Sequence, residues 1–323
     1  MTAPLLEVDN LQTHFETLAG VVKAVDGVSF TVARGEVLGL VGESGSGKSI
    51  TGFSLLGLLD APGRVVGGAV RFNGEDLLAL DAKRQRQIRG NRIAMIFQDP
   101  MMTLNPVLSI GTQMVETVRA HDTVSRAEAR RRSRDALGKV GIPSPEERLD
   151  AYPHEFSGGM RQRVAIAIAL LHGPDLIIAD EPTTALDVTI QSQILAQVQQ
   201  LCSELGMGLI WISHDLGVVA GLAHKVAVMY AGRIVEQGTV VDVLDRSRHP
   251  YTRGLIASTP MANQRGVPLH QIPGSAPSPL DRPEGCSFHP RCSRASDACV
   301  KVPEISRTRN HEWRCFHPLG ADI

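Results

Sequence analysis

The sequence predicts an α/β protein built on a buried parallel sheet, and three observations carry that prediction. First, "EVLGLVG" (36–42) runs apolar into a glycine-rich loop, and "KSITGFSLLGLL" (48–59) follows with helical periodicity. Second, "RIAMIF" (92–97), "DLIIAD" (175–180) and "MGLIWIS" (207–213) are short apolar runs ending in polar residues, the pattern of strands covered on both faces. Third, "LLEVDNLQTHF" (5–15) and "VDGVSFTV" (25–32) alternate within the first 35 positions, as in a small antiparallel layer.

The remaining elements follow in order. Residues 105–172 are helix-rich and predict an inserted α-helical subdomain. "KVAVMY" and "RIVEQG", joined at Ala231–Gly232, predict a hairpin. After about residue 246 the texture changes. Pro250, Pro260, Pro268, Pro273, Pro277, Pro279, Pro283 and Pro290 interrupt any long periodic element. The expected organisation is one domain over residues 1–245 and an irregular extension over 246–323. No repeat of solenoid period occurs.

Composition narrows the function classes. Hydrophobic residues make up 43% and charged residues 21%, ordinary for a globular core. With 33 basic and 34 acidic side chains the net charge is −1, so no global field draws the chain to nucleic acid or an anionic membrane. Aromatics at 4% leave few platforms for stacking bases. "MTAPLLEVDN" has no basic region followed by an apolar run, so it does not read as a secretory signal. "VAIAIALL" (164–171) falls far short of the roughly 18–20 residues a membrane helix needs. A soluble, cytoplasmic chain is expected, and clustered cysteines there suggest a metal or catalytic site before disulfides.

The loop "GESGSGKS", Gly42 to Ser49, fits the pattern of a glycine, four intervening residues, then glycine-lysine-serine. Glycines let successive amides point at phosphate oxygens, and the following helix adds its positive amino-terminal end. Lys48 is expected to neutralise the outer phosphates, and the Ser49 hydroxyl to ligate Mg²⁺. An accidental glycine-serine turn is the bland alternative, and a strand before with a helix after argues against it. "LIIADE" adds carboxylates at a strand end: Asp180 for Mg²⁺ and Glu181 to polarise the attacking water. Gln98 and His214 end two further core strands, and strand tips of one parallel sheet converge on one crevice.

Together with "YPHEFSGGMRQR" (152–163), set ahead of "LIIADEPTTALD", these pieces resemble the ATP-binding cassette ATPases. The family signature more commonly reads leucine-serine-glycine-glycine-glutamine; Phe156 and Met160 replace its flanking residues here and leave the triplet intact. The resemblance implies a phosphate-loop NTPase with a RecA-like core, an antiparallel β subdomain and the inserted helical subdomain. It further implies ATP and Mg²⁺ held by Gly42, Ser44, Gly45, Ser46, Gly47, Lys48, Ser49, Ile50 and Gln98, with Phe15 stacking on adenine. Mg²⁺ falls to Ser49, Gln98 and Asp180, and catalysis to Glu181 as general base with His214 on the terminal phosphate. Ser157, Gly158 and Gly159 would bind the nucleotide of a second subunit, and Asp187 would lie across the dimer contact.

"FQDPMMTLNP", "ADEPTTALDVTIQSQIL", "ISHDLGVVA", "RHPYTRGL" and "GCSFHPRC" are similar to the ATPases of dipeptide and oligopeptide importers, closest to the dipeptide type. That likeness implies ATP-driven uptake of a peptide-like solute on the cytoplasmic face of the inner membrane. The implied partners are two integral-membrane permeases, a second ATPase, expected to be a homologous different chain, and an extracytoplasmic peptide-binding protein, with no nucleic acid. A soluble cassette ATPase acting on DNA or ribosomes is the rival. Its support is the basic run "RAEARRRSR" (126–134), where Glu128 is interleaved and Asp135 follows, as on a solvated helix face. A phosphate-loop kinase would have no use for the signature triplet.

Cys286, Cys292, Cys299 and Cys315 are separated by five, six and fifteen residues. Four thiolates suit Zn²⁺ or an iron–sulfur cluster, and the spacing leaves the metal open, with His289, His311 and His317 as substitute ligands. Resemblance to the peptide-importer ATPases implies a [4Fe–4S] cluster, with Zn²⁺ as the alternative. A tail this irregular is expected to need such a staple. Cys202 is expected to be plain core packing in a helix.

Overall fold

The computed structural model describes residues 3–183, 188–259, 268 and 270–320. Two units emerge: Met1–Ala79 with Trp211–Ile323, and Leu80–Ile210. The first opens with β1 (Leu6–Thr17), β2 (Gly20–Val32), β3 (Val37–Val41), α1 (Lys48–Leu56), β4 (Gly63–Phe72) and β5 (Glu75–Asp76). β1 pairs antiparallel with both β2 and β4, and β5 closes the order β2-β1-β4-β5. Val8, Leu11, Val25, Val28 and Val70 are all buried, so the alternation in the sequence marks the covered face of this layer. α1 ends at Leu56, three residues before the apolar pattern does, because Gly57 takes φ 59° and its amide turns back onto Phe53 and Ser54.

The second unit holds α2 (Ala82–Ile88), β6 (Ile93–Ile96), α3 (Ile110–His121), α4 (Arg126–Lys139), α5 (Pro145–Arg148), α6 (Gly158–Leu170), β7 (Leu176–Asp180) and α7 (Val188–Leu205). β6 and β7 run parallel, Ile93 beside Leu176, and every residue of β7 is buried. Between them α3 to α6 fill the stretch expected to be helical. Ser109, Ser125 and Ser157 cap α3, α4 and α6 through their hydroxyls, each accepting an orphan amide of the first turn. Val115 and Val118 of α3 close on Ala129 of α4. Arg130, Arg131, Arg132 and Arg134 of the basic run each pair with a carboxylate among Asp122, Glu128, Asp135, Glu146 and Asp150. The run is a neutralised helix face. Cys202 lies on α7, buried, its thiol pushed up to about 11 by desolvation.

β8 (Gly208–Ser213) leads the chain back into the first unit, which continues through α8 (Leu216–Leu222), β9 (Lys225–Tyr230) and β10 (Arg233–Thr239). β9 lies parallel to β3 and forms the expected hairpin with β10. α9 (Val240–Leu244), α10 (Pro250–Ala257), β11 (Ser306–Arg307) and β12 (His311–Trp313) follow, and β12 pairs with β10.

Among the described residues of the extension, helix and strand are confined to α10, β11 and β12 apart from short 3-10 turns, and side-chain contacts with the preceding strands anchor it. Pro250 opens α10 at a position where no amide is needed, with His249 as the cap. Tyr251 and Phe288 are buried and meet Tyr230 at ring separations of 4.5 and 5.4 Å. Burial on this scale contributes about 1.5–3 kcal/mol per large side chain. Glu236 of β10, fully buried, accepts the His249 amide at 3.0 Å and contacts His311 Nε2 at 2.7 Å, tying both ends of the extension to one strand.

Candidate nucleotide site

β3 delivers the chain into the glycine-rich loop. Gly42 has φ 152°, and a Cβ there would stand 2.2 Å from the Met229 carbonyl oxygen; at Gly47, φ 102°, it would stand 2.4 Å from that of Ala24. Neither position tolerates a side chain, so these glycines are required by close backbone approach. Gly47 also caps α1 with no side-chain hydrogen bond, so no side chain blocks an anion from the positive end of the helix. The Lys48 ammonium, 5% exposed, donates to the carbonyls of Gly42 and Glu43 at 2.9 and 3.1 Å. Ser46 Oγ is buried and has no hydrogen-bond partner among the described residues. An unmatched buried hydroxyl in this glycine-rich loop fits a bound phosphate. Ser44 and Gly45 are exposed, and Ser49 and Ile50 are half-buried on α1.

Phe15 sits half-buried on β1 opposite Val22 and Gly63, and only a glycine at 63 leaves room for its ring, since a Cβ would lie 2.5 Å away. His214 is exposed between the end of β8 and the Asp215 cap of α8.

In the second unit Asp180 is the buried last residue of β7. Glu181 follows with φ 44°, left-handed backbone that a residue with a Cβ rarely takes. That turn redirects its carboxylate off the strand, where Gln98 Nε2 donates to Glu181 Oε2 at 3.2 Å. The sequence singled out both residues, and the structure brings them together. Ser157, Gly158 and Gly159 form the amino-terminal tip of α6, with Ser157 and Gly158 exposed. Asp187 lies outside the described residues.

Cys286, Cys292, Cys299 and Cys315 line one small cavity with His249, His289 and His317. Burial raises the thiols of Cys286 and Cys292 and pushes Cys315 up to about 11, and neighbouring cysteines add to each shift. Nevertheless, among the described residues no three His, Cys, Asp or Glu side chains stand close enough to hold a metal ion. The donors converge without forming a coordination shell. One further group fits a guest there. His249 is wholly buried and held neutral, its pKa lowered to about 4 by desolvation. Its Nδ1 accepts the Tyr251 amide at 3.1 Å, so the proton sits on Nε2, which has no partner among the described residues.

Sequence reasoning missed three residues. Arg291, beside Cys292, grips the Glu43 carboxylate with two N–H groups at 2.7 and 3.0 Å, and Tyr251 Oη accepts the Glu43 amide at 2.9 Å. No local pattern could reveal partners 248 positions apart.

A loop shaped for phosphate, preceded by a buried strand and followed by an uncapped helix, places the chain among the phosphate-loop nucleotide-binding proteins. Comparison with known proteins narrows the class. Residues 25–184 match the ABC transporter family, and residues 235–299 match the C-terminal region of oligopeptide/dipeptide transporters. A putative peptide import ATP-binding protein of Brucella abortus is 52% identical over 97% of this chain and 95% of its own. The dipeptide transport ATP-binding protein DppD of Escherichia coli is 46% identical over 98% of this chain and 97% of its own. Among solved structures, the ATP-binding cassette MJ0796, dimeric and bound to ADP and phosphate, superposes with a TM-score of 0.66. It is 26% identical and covers 73% of this chain and 98% of its own. The chain belongs to the ATP-binding cassette ATPases of the oligopeptide/dipeptide transporter family.

Proposed function

We propose that this protein hydrolyses Mg²⁺-ATP in a head-to-tail dimer of ATPase subunits to drive uptake of small peptides through two membrane partners, with solute delivered by an extracytoplasmic binding protein. The observation that carries the dimer is Gly158. It is exposed at the tip of α6, its φ is not in the left-handed region, and a Cβ there would meet nothing within 4 Å. Among the described residues nothing near position 158 requires a glycine, and close approach of a nucleotide held by a facing subunit would account for one. The peptide-like solute is supported by the names of relatives similar over nearly the whole chain.

In this reading Lys48, the loop amides and Ser46 bind the phosphates, and Phe15 stacks on the base. Ser49, Gln98 and Asp180 are hard-oxygen ligands suited to Mg²⁺, which supplies charge neutralisation on the phosphates. Glu181 takes the proton of the attacking water, and His214 contacts the terminal phosphate. Ser157, Gly158 and Gly159 complete the partner's site. Residues 105–172 act as the helical subdomain that passes the motion to the membrane. The test is reconstitution in vesicles with peptide-importer permeases and a peptide-binding protein from the same organism. Peptide added to the binding protein should stimulate ATP hydrolysis in vesicles, whereas co-purification with DNA or ribosomes and no permease binding would sink the transport role.

We further propose a [4Fe–4S] cluster on Cys286, Cys292, Cys299 and Cys315, with Zn²⁺ as the alternative, a reading that rests on the four thiols lining one cavity. Thiols raised by burial must lose protons on loading, so the metal should be held more weakly as pH falls. Anaerobically purified protein should carry iron and sulfide and the broad visible absorbance of such clusters, lost in the Cys286→Ser, Cys292→Ser variant. Zinc without iron in that preparation would remove the cluster assignment.

A further inference from the structure

We propose that Arg291 and Tyr251 of the extension are positioning residues for nucleotide: they clamp Glu43 of the phosphate loop and neutralise its carboxylate, so that the extension sets the affinity for ATP. The inference rests on the reading that the loop from Gly42 to Ser49 binds ATP phosphates.

Glu43 is held at every polar group. Its amide donates to Tyr251 Oη at 2.9 Å, and its carbonyl accepts the Lys48 ammonium at 3.1 Å and the Ser46 amide at 3.2 Å. Its carboxylate takes both arms of the Arg291 guanidinium. That guanidinium is locked in turn. Its side chain is 5% exposed, Nε donates to the Pro273 carbonyl at 2.9 Å, and Nη1 reaches Tyr230 Oη at 3.3 Å. A planar fork with all its donors committed holds a carboxylate in one place, which a lysine cannot do.

The electrostatics explain why a clamp is needed. ATP brings several negative charges to this loop, and a bare carboxylate one residue after Gly42 would oppose them. Paired with Arg291, the acid adds no net charge. The fixed Glu43 peptide also presets the loop, so less ordering is left for binding to accomplish. Because Arg291 precedes Cys292 directly, and Tyr251 packs on Phe288 at 5.4 Å, the cysteine segment and the phosphate loop share one set of contacts.

The test is equilibrium titration of the full-length protein with Mg²⁺-ATP in a Glu181→Gln background, so that nucleotide is not consumed. Arg291→Gln should raise Kd about 10-fold, equivalent to about 1.4 kcal/mol. Arg291→Lys should fall between it and the parent. Adding Glu43→Gln to Arg291→Gln should recover most of the loss, because the exposed charge is gone; a residue that merely stitched the extension down would show no such rescue. If Arg291→Gln does not fold, as judged by thermal unfolding, Glu43→Gln alone decides the matter: its Kd should not exceed the parent's, and a 10-fold rise would overturn the proposal. An unchanged Kd in folded Arg291→Gln, or a double variant no better than the single, would also overturn it. Failure of the underlying reading looks different: the parent itself would bind no ATP, or bind it equally well after Lys48→Ala.

Discussion

Glu181→Gln is expected to cut ATP turnover by about 10²–10⁴-fold, the usual scale for loss of a general base, while ATP affinity stays within a few-fold of the parent. In barrier terms that is about 2.7–5.4 kcal/mol. The expectation has a geometric basis. A left-handed backbone at φ 44° holds the side chain off β7, and Gln98 donates to one of its oxygens. A glutamine has the same shape and can still accept that bond through Oε1, so the ground state is preserved. Only the capacity to take a proton is removed. Equal losses in turnover and in ATP affinity would point to a binding role, and unimpaired hydrolysis would strip Glu181 of its catalytic one.

Lys48→Ala should act at the other stage. The ammonium is buried in the loop and bonded to two of its carbonyls, at Gly42 and Glu43. Phosphate oxygens are expected to take over both contacts, and charge-assisted bonds of this kind contribute about 1.5–3 kcal/mol each. ATP affinity should therefore drop by about 10²-fold or more in an equilibrium titration. The variant removes the Lys48 donor from the Gly42 carbonyl and leaves the Glu43 carbonyl with the Ser46 amide, so its thermal stability belongs in the same experiment. Undiminished affinity would place the phosphates elsewhere.

The parts of this protein that could be read in its sequence are those whose physics is local. A strand, a glycine-rich turn and a helix occupy contiguous positions, as do the buried run ending at Asp180 and the helix tip at Ser157. The basic run of α4 was likewise legible, because its carboxylate partners lie within the same helix or close by along the chain. The extension was not. β11 and β12 span two and three residues, too short for any period to emerge, and Pro250 breaks a pattern on paper while starting a helix in fact. The Arg291–Glu43 pair depends on tertiary proximity alone. The backbone of Glu181 illustrates a third limit, since its left-handed turn is imposed by the surrounding fold against the preference of the residue. For the cysteines, spacing left the metal open, and among the described residues they line one cavity without three donors close enough to hold an ion.

The coupling of hydrolysis to transport presupposes that nucleotide is shared between two subunits. The direct test is the molar mass of the Glu181→Gln variant with and without saturating Mg²⁺-ATP, alone and mixed with its cognate ATPase partner. ATP-dependent dimers that disappear when Lys48→Ala is added are the predicted result. A species that stays monomeric in every mixture, while still binding ATP, would contradict the account.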